Sequence, residues 1–298
     1  MNNRLLIIFL IVIGLTAHSQ TNQCLHFGGN VGINSLIYKI EGGASKPRLS
    51  YGGNLGYIYF FNPNWGIGTG AGAYSCTTDG YLNGALISVP HQFDDEGDEH
   101  TKLLYFRDWV ERQKFLLLEF PLFGYYQYNF SAKARRVIYV RLGVKAQLPM
   151  MGRYEVTKGQ VAIQGFYEKW NVILHNDVQT AMDIHGFGKE RVTASAKMEL
   201  PFEIAASFGI GFSFEVTKMV DIYVGGSFEY GFLNLKKGGN EELLYLDNNQ
   251  VRYRGILNSS ITQKANLVAA QGEVGMRIAL GKTFARGGIR GYKPGGRR

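Results

Sequence analysis

Apolar residues alternate with polar residues or glycine along this chain, over stretches of about ten residues, and that period constrains the fold more than any motif does. Leu25, Phe27, Val31, Ile33 and Ile37 share one parity, while His26, Gly28, Asn30, Gly32 and Asn34 share the other. Tyr51, Leu55, Tyr57, Tyr59 and Phe61 oppose Gly52, Asn54 and Gly56, and Trp65, Ile67 and Ala71 oppose Gly66, Gly68, Gly70 and Gly72. Leu116, Leu118, Phe120 and Leu122 face away from Glu119, Phe123 and Gln127; Ile138, Val140, Leu142 and Val144 face away from Arg141, Lys145 and Gln147. The same holds for Phe202, Ile204, Phe208, Ile210, Phe212 and Phe214 against Glu203, Ser207 and Ser213. It returns for Val220, Ile222, Val224, Phe228 and Tyr230 against Asp221, Tyr223, Ser227 and Glu229, and for Val268, Ala270, Val274, Met276, Ile278 and Leu280 against Gln271, Glu273, Gly275 and Arg277. Period two is the signature of a strand with two different faces. About eight strands of roughly ten or more residues result, long enough to cross a bilayer when tilted.

The connections alternate in length. Short ones are expected at 62–64, 129–135 and 217–219; long ones at 41–48, 80–113, 152–197 and 236–265. Short turns at one end and long loops at the other are the mark of a transmembrane β-barrel with both termini on the short-turn side. A soluble sandwich or lipocalin-like barrel also alternates, but its apolar parity would face a core. Here the second parity mixes glycine and asparagine with Glu119, Arg141, Lys145, Glu203, Glu229, Glu273 and Arg277, as a narrow polar lumen requires. The expected fold class is therefore all-β, an antiparallel up-and-down barrel of about eight strands.

The N-terminus, MNNRLLIIFLIVIGLTAHSQ, has a basic residue, an apolar run and small residues at Ala17 and Ser19. This layout predicts a signal peptide over 1–19 with cleavage before Gln20, and hence an exported protein. The barrel domain is expected over 20–284, followed by a basic, glycine-rich periplasmic tail over 285–298. The composition agrees with β-structure: 39 Gly, 18 Tyr and 19 Phe against 7 Pro in 298 residues. The net charge of +8 is substantially a property of the tail, where Arg286, Arg290, Lys293, Arg297 and Arg298 lie, so no nucleic-acid groove is indicated.

Gly281-Lys282-Thr283 imitates the end of a phosphate loop, but that loop needs a glycine where Met276 stands and a helix where FARGGIRGYKPGG follows. Gly281 and Lys282 are expected to be simply the end of a strand.

The segments YIYFFNPNWGIGTGAGAYS, FLLLEFPLFGYYQYNF and YVRLGVKAQLPM resemble the small outer-membrane β-barrel domain family of Gram-negative bacteria, particularly its Bacteroidetes branch. Leu118-Glu119-Phe120-Pro121-Leu122 is the most characteristic piece. The resemblance covers nearly the whole mature chain and implies an OmpA- or OmpX-like barrel in the outer membrane, inserted among its lipids by the assembly machinery. It also implies that Phe284 is the terminal aromatic read by that machinery. No peptidoglycan-binding domain of the OmpA kind follows the barrel, so cell-wall anchoring is not expected.

Three functions are weighed. In the first, the lumen charges pair and plug the barrel, with Glu119 beside Arg141 or Lys145; a small porin-like channel for ions or solutes is the alternative. In the second, the long loops or the basic tail capture a protein partner; residues from Tyr154 to Trp170 alternate and are expected to extend the barrel hairpin above the membrane, with an edge that could recruit a partner strand. Asp94, Asp95, Glu96, Asp98 and Glu99, between His91 and His100, are weak candidates for oxygen ligands of a divalent cation, although without EF-hand spacing. The expected metal and cofactor content is therefore none. In the third, His175-Asn176-Asp177 and Asp183-Ile184-His185 serve an outer-rim enzyme, but no nucleophile motif accompanies them, and the chain reads as non-enzymatic. The two cysteines, Cys24 and Cys76, are expected at opposite ends of the barrel, too far apart to bridge.

Overall fold

The computed structural model describes residues 23–40, 42–84, 86–131, 135–175, 187–191, 193–236, 242–247 and 250–280. The signal peptide, Phe284, the basic tail and the pairs Asn176-Asp177 and Asp183-His185 lie outside the described residues.

The strands are β1 (Gln23–Ile40), β2 (Gly43–Phe60), β3 (Trp65–Leu82), β4 (Leu86–Phe93), β5 (Glu99–Asn129), β6 (Arg136–Tyr167) and β7 (Val172–Leu174). They continue with β8 (Gly188–Glu190), β9 (Ser195–Lys197), β10 (Glu203–Glu215), β11 (Val220–Gly231), β12 (Leu244–Asp247), β13 (Gln250–Tyr253) and β14 (Thr262–Ala279). The strands β1, β2, β3, β5, β6, β10, β11 and β14 pair in that order, and β14 pairs back with β1. The sheet is an antiparallel barrel of eight strands, closed on itself and therefore without edges around its wall.

Side-chain caps form the short turns. Asn62 Oδ1 accepts the N–H groups of Asn64 and Trp65 at 2.9 and 2.8 Å, and Thr217 Oγ1 accepts those of Met219 and Val220. Around the wall between the two ends, the outward parity is apolar: Leu142 is 66% exposed, Leu55 58% and Val274 58%. Aromatics gather at its lower rim, where Trp65 meets Tyr126 with ring centroids 4.8 Å apart beside Phe61, Tyr128 and Phe130. An exposed apolar band with an aromatic girdle is a surface built for lipid. The protein is an integral transmembrane β-barrel of the outer-membrane type.

The strands outrun this band. β5 has 31 residues and β6 has 32, whereas about ten suffice to cross. Beyond Leu116 on β5 and Met150 on β6, residues 99–115 and 151–167 carry this hairpin on; at ~3.3 Å per residue that is about 55 Å along its own axis beyond the lipid. The expected extension of the hairpin over 154–170 is present in β6, while the other long connections expected from the sequence are corrected. The segment 41–48 is mostly strand, 80–113 holds the end of β3, all of β4 and the start of β5, 152–197 holds the end of β6 with β7, β8 and β9, and 236–265 holds β12 and β13.

The cause is an inversion of polarity. Within the lipid band β6 points Arg141 and Lys145 inward and Leu142 and Val144 outward; above it Tyr154 and Val156 point inward and are buried, while Arg153 and Glu155 are exposed. The alternation continues but its sense reverses, because the outside has changed from lipid to water. The inward residues of this extension make an apolar core. Trp109, Phe115, Leu117, Tyr154 and Val156 from the wall close on Tyr253, Ile256 and Leu257, which follow or end β13.

Candidate functional site

The lumen is filled in tiers. At the lower end Arg135 and Asp221 form a buried ion pair, with Arg135 Nε 2.9 Å from Asp221 Oδ2. Arg277 lies over three rings, 4.5 Å from the Tyr139 centroid, 5.1 Å from Tyr223 and 5.2 Å from Tyr125. It makes no ion pair among the described residues; the negative faces of the rings hold it instead. Gly28 and Gly275, paired on β1 and β14, make room for this: a Cβ on either would lie 2.2 or 2.6 Å from Tyr223 Oη.

One tier higher, Glu273 accepts from Tyr139 Oη at 2.8 Å and from Arg141 Nη2 at 2.7 and 2.6 Å. At mid-barrel Lys145 Nζ bridges Glu119, at 2.8 Å, and Glu229. Gln147 Nε2 donates to the same two carboxylates at 2.9 and 3.1 Å. On the opposite wall a chain of amides runs from Asn54 to Asn30 (2.8 Å), Gln271 (3.2 Å) and Asn34 (3.3 Å), ending on Cys76 Sγ. The interior void among these groups is about 30 Å³. By the ~10–15 Å³ that one water requires, it holds about two.

Of the seven lumen residues singled out in the sequence, the structure joins Lys145 with Glu119 and Glu229, and Arg141 with Glu273. Arg141 does not meet Glu119, since register places it opposite Glu273 across the barrel. Glu203 is fully buried away from any ion pair among the described residues; it accepts the backbone N–H groups of Ile204 and Leu233, both at 2.9 Å, and ties off the upper end of β10. Sequence reasoning did not assign Arg135 or Tyr139 to the site. Arg135 lies in a turn, where no periodicity marks it, and Tyr139 belongs to the polar parity of β6 by position although it is aromatic. Arg135, Arg141, Lys145 and Arg277 thus share the lumen with Asp221, Glu119, Glu229 and Glu273, while the fifth buried carboxyl, Glu203, is held by backbone N–H donors.

Above the band, the barrel mouth is stopped by chain. Glu111 is completely buried and accepts from Tyr253 Oη at 2.5 Å, from the Ile256 N–H at 2.9 Å and from Gln113 Nε2 at 2.5 Å. Trp109 Nε1 donates to Tyr253 Oη and Tyr154 Oη to the Tyr253 carbonyl, at 3.2 and 2.8 Å. Burial raises the Glu111 pKa above its ordinary value despite these three donors.

The acidic stretch forms the turn between β4 and β5. Asp94 Oδ1 accepts the N–H groups of Glu96 and Asp98, and its Oδ2 accepts from Tyr167 Oη at 2.8 Å, which holds its pKa below the usual carboxylate value. Asp98 lies 3.7 Å from Lys169, and Glu99 2.5 Å from His91. No metal-holding group of three or more His, Cys, Asp or Glu side chains gathers among the described residues. His100 is buried between Tyr167 and Phe187, and Cys24 and Cys76 are free and buried in separate clusters.

No family model matches the sequence, and no curated protein does. Among solved structures, the chain is similar to the outer membrane protein OprG from Pseudomonas aeruginosa, with a TM-score of 0.40 at 10% identity over 88% of this chain and 97% of that one. It is similar to Neisserial surface protein A, with 0.35 at 10% identity over 85% and 96%. It is also similar to Ail, the attachment invasion locus protein of Yersinia pestis, with 0.31 at 10% identity over 87% and 100%.

Proposed function

We propose that this transmembrane barrel is a sealed outer-membrane protein whose extracellular extension is its working surface, an interaction platform rather than a channel or an enzyme. The bridge from Lys145 to both Glu119 and Glu229 carries the reading, because it spans the lumen at mid-barrel and leaves a void of only about 30 Å³. An eight-stranded barrel has an interior about wide enough for its own side chains, and these are fixed by charge as well as by packing. The mouth is closed a second time by Tyr253, Ile256 and Leu257.

The extension supports the other half of the reading. Its sheet ends on β4 at one side and β7 at the other. Val172, Ile173 and Leu174 of β7 are all substantially exposed, no strand among the described residues pairs with the far side of β7, and an open apolar strand edge recruits extended partners by strand addition. The test is conductance of the refolded protein in a planar bilayer. A silent barrel is expected for the native sequence. A steady ohmic current whose ion selectivity changes in Glu273→Gln would overturn the sealed reading in favour of a small channel.

A further inference from the structure

Three cations stand side by side on the outer wall directly above the lipid band. Lys114 of β5 pairs with Arg153 of β6, and Arg153 pairs with Lys197 of β9. Paired residues of antiparallel strands project to the same face, with Cβ atoms ~4.5–5.5 Å apart. Here that face is the outer one, since Gln113, Phe115 and Tyr154 beside them are buried. All three cations are exposed, and none has an ion-pair partner among the described residues. The next row up is different: Asp79 sits between Arg48 and Arg112, bonded to both. Like charges directly opposite each other repel, and the lower row contains no carboxylate to relieve this.

One step below, the wall opens. Between Lys114 and Leu116 the register shifts, and β6 bulges at Met151, whose φ is 53° and whose side chain is 81% exposed. A cleft of about 230 Å³ lies here, lined by Pro149, Met150, Met151, Met198, Leu200 and one carboxylate, Glu199. Methionine is flexible and polarizable, suited to irregular apolar guests. The first residues of the lipid-facing wall, Leu148 and Met150, follow immediately beneath. Cations above and the exposed apolar side chains of Leu148, Met150 and Met151 below, astride the boundary between water and lipid, match a molecule with an anionic head and an acyl chain. A soluble polyanion would leave those apolar side chains unused.

We propose that this rim is a binding site for a phosphate-bearing lipid of the outer leaflet. Lys114, Arg153 and Lys197 hold the phosphate, with Arg153 able to grip two oxygens at once and the lysines acting as point charges. Leu148, Met150 and Met151 take the upper part of an acyl chain. The inference rests on the apolar band lying in the membrane and not on whether the lumen conducts.

Native mass spectrometry of the folded protein in detergent micelles tests it, with dioleoyl phosphatidic acid, dioleoyl phosphatidylcholine and inorganic phosphate as probes. Wild type is expected to retain phosphatidic acid, and the reversal Lys114→Glu/Arg153→Glu/Lys197→Glu to weaken that binding by about a hundredfold, from the loss of three basic contacts. Phosphatidylcholine binding should be the same in both. Met151→Glu, at an exposed position, should also weaken retention. Should the triple reversal fail to fold, as judged by heat-modifiable mobility, the triple glutamine variant replaces it and should show a smaller loss. Undiminished phosphatidic acid binding in either triple variant would overturn the proposal. So would an equal loss on reversing Lys158 and Lys218, which lie away from the rim, since net charge alone would then be responsible. Displacement of the lipid by equimolar inorganic phosphate would reduce the site to one for a simple ion.

Discussion

Tyr253 donates a 2.5 Å hydrogen bond to Glu111 across 142 residues of sequence, and this contact fastens the segment that stops the barrel mouth. Glu111 is a buried carboxyl with neutral donors around it and no cation bonded to it among the described residues. Its raised pKa makes the extension sensitive to pH. In the unfolded chain the group titrates near ~4.3; folded, it holds its proton to higher pH. Between the two values the native state binds more protons, so stability falls as pH rises. The contribution is fully present below ~4.3 and is lost as pH climbs through the raised value. Trp109 fluorescence in a Trp65→Phe/Trp170→Phe background reports the transition. Its urea midpoint should decrease with pH, and Glu111→Gln should remove that component. An identical slope in the glutamine variant would refute the assignment.

Removing Lys145 leaves Glu119 and Glu229 facing each other in the lumen. Breaking a buried pair in this way costs about 3–5 kcal/mol. Lys145→Ala should lower the unfolding midpoint of vesicle-reconstituted protein accordingly, and adding Glu119→Gln and Glu229→Gln should recover most of the loss. A midpoint within error of wild type would mean that water enters and screens the charges.

Gly159 has a φ of 134° and stands against Trp109, where an added Cβ would lie 2.7 Å from the Trp109 Cα. Alanine there is both strained and crowded, at a cost of about 1–3 kcal/mol. The damage should stay in the extension. Limited proteolysis should nick Gly159→Ala above the lipid band while leaving the heat-modifiable barrel intact; loss of the barrel itself would show that the two fold as one unit.

Both thiols are free and buried. Iodoacetamide should leave Cys24 and Cys76 unmodified in the folded protein and alkylate both after unfolding without reductant. A protein that resists alkylation after unfolding would contain a disulfide, which this topology forbids.

The two faces of the eight wall strands were legible in the sequence because period two is local: each residue's parity follows from its neighbour's. That is enough to separate Phe27, Leu55 and Val274, which face lipid, from Glu119, Lys145 and Glu273, which face the lumen. The lengths of the strands were legible only in part: alternation over 154–170 pointed to the extension of β6, but not to that of β5. Beyond Leu116 on β5 and Met150 on β6 the alternation reverses its sense, and Lys114 and Arg153 on the outer face look like loop residues to a reading that expects lipid there. The core of the extension was hidden for a related reason, since Tyr253 ends the four-residue β13 and Ile256 and Leu257 come from irregular chain, too short or too irregular for a period to read.

The sequence by itself therefore determined a closed antiparallel barrel with an apolar outside and a polar inside, because alternation dictates which face each side chain takes. Only the tertiary structure decided that Lys145 serves both Glu119 and Glu229, that Arg141 reaches Glu273 and that Arg277 rests on tyrosines. Closing the ring brings β14 against β1 and sets which residues share a height across the lumen. Partners separated by 132 residues, as Arg141 and Glu273 are, meet through strand register and not through anything encoded near either of them.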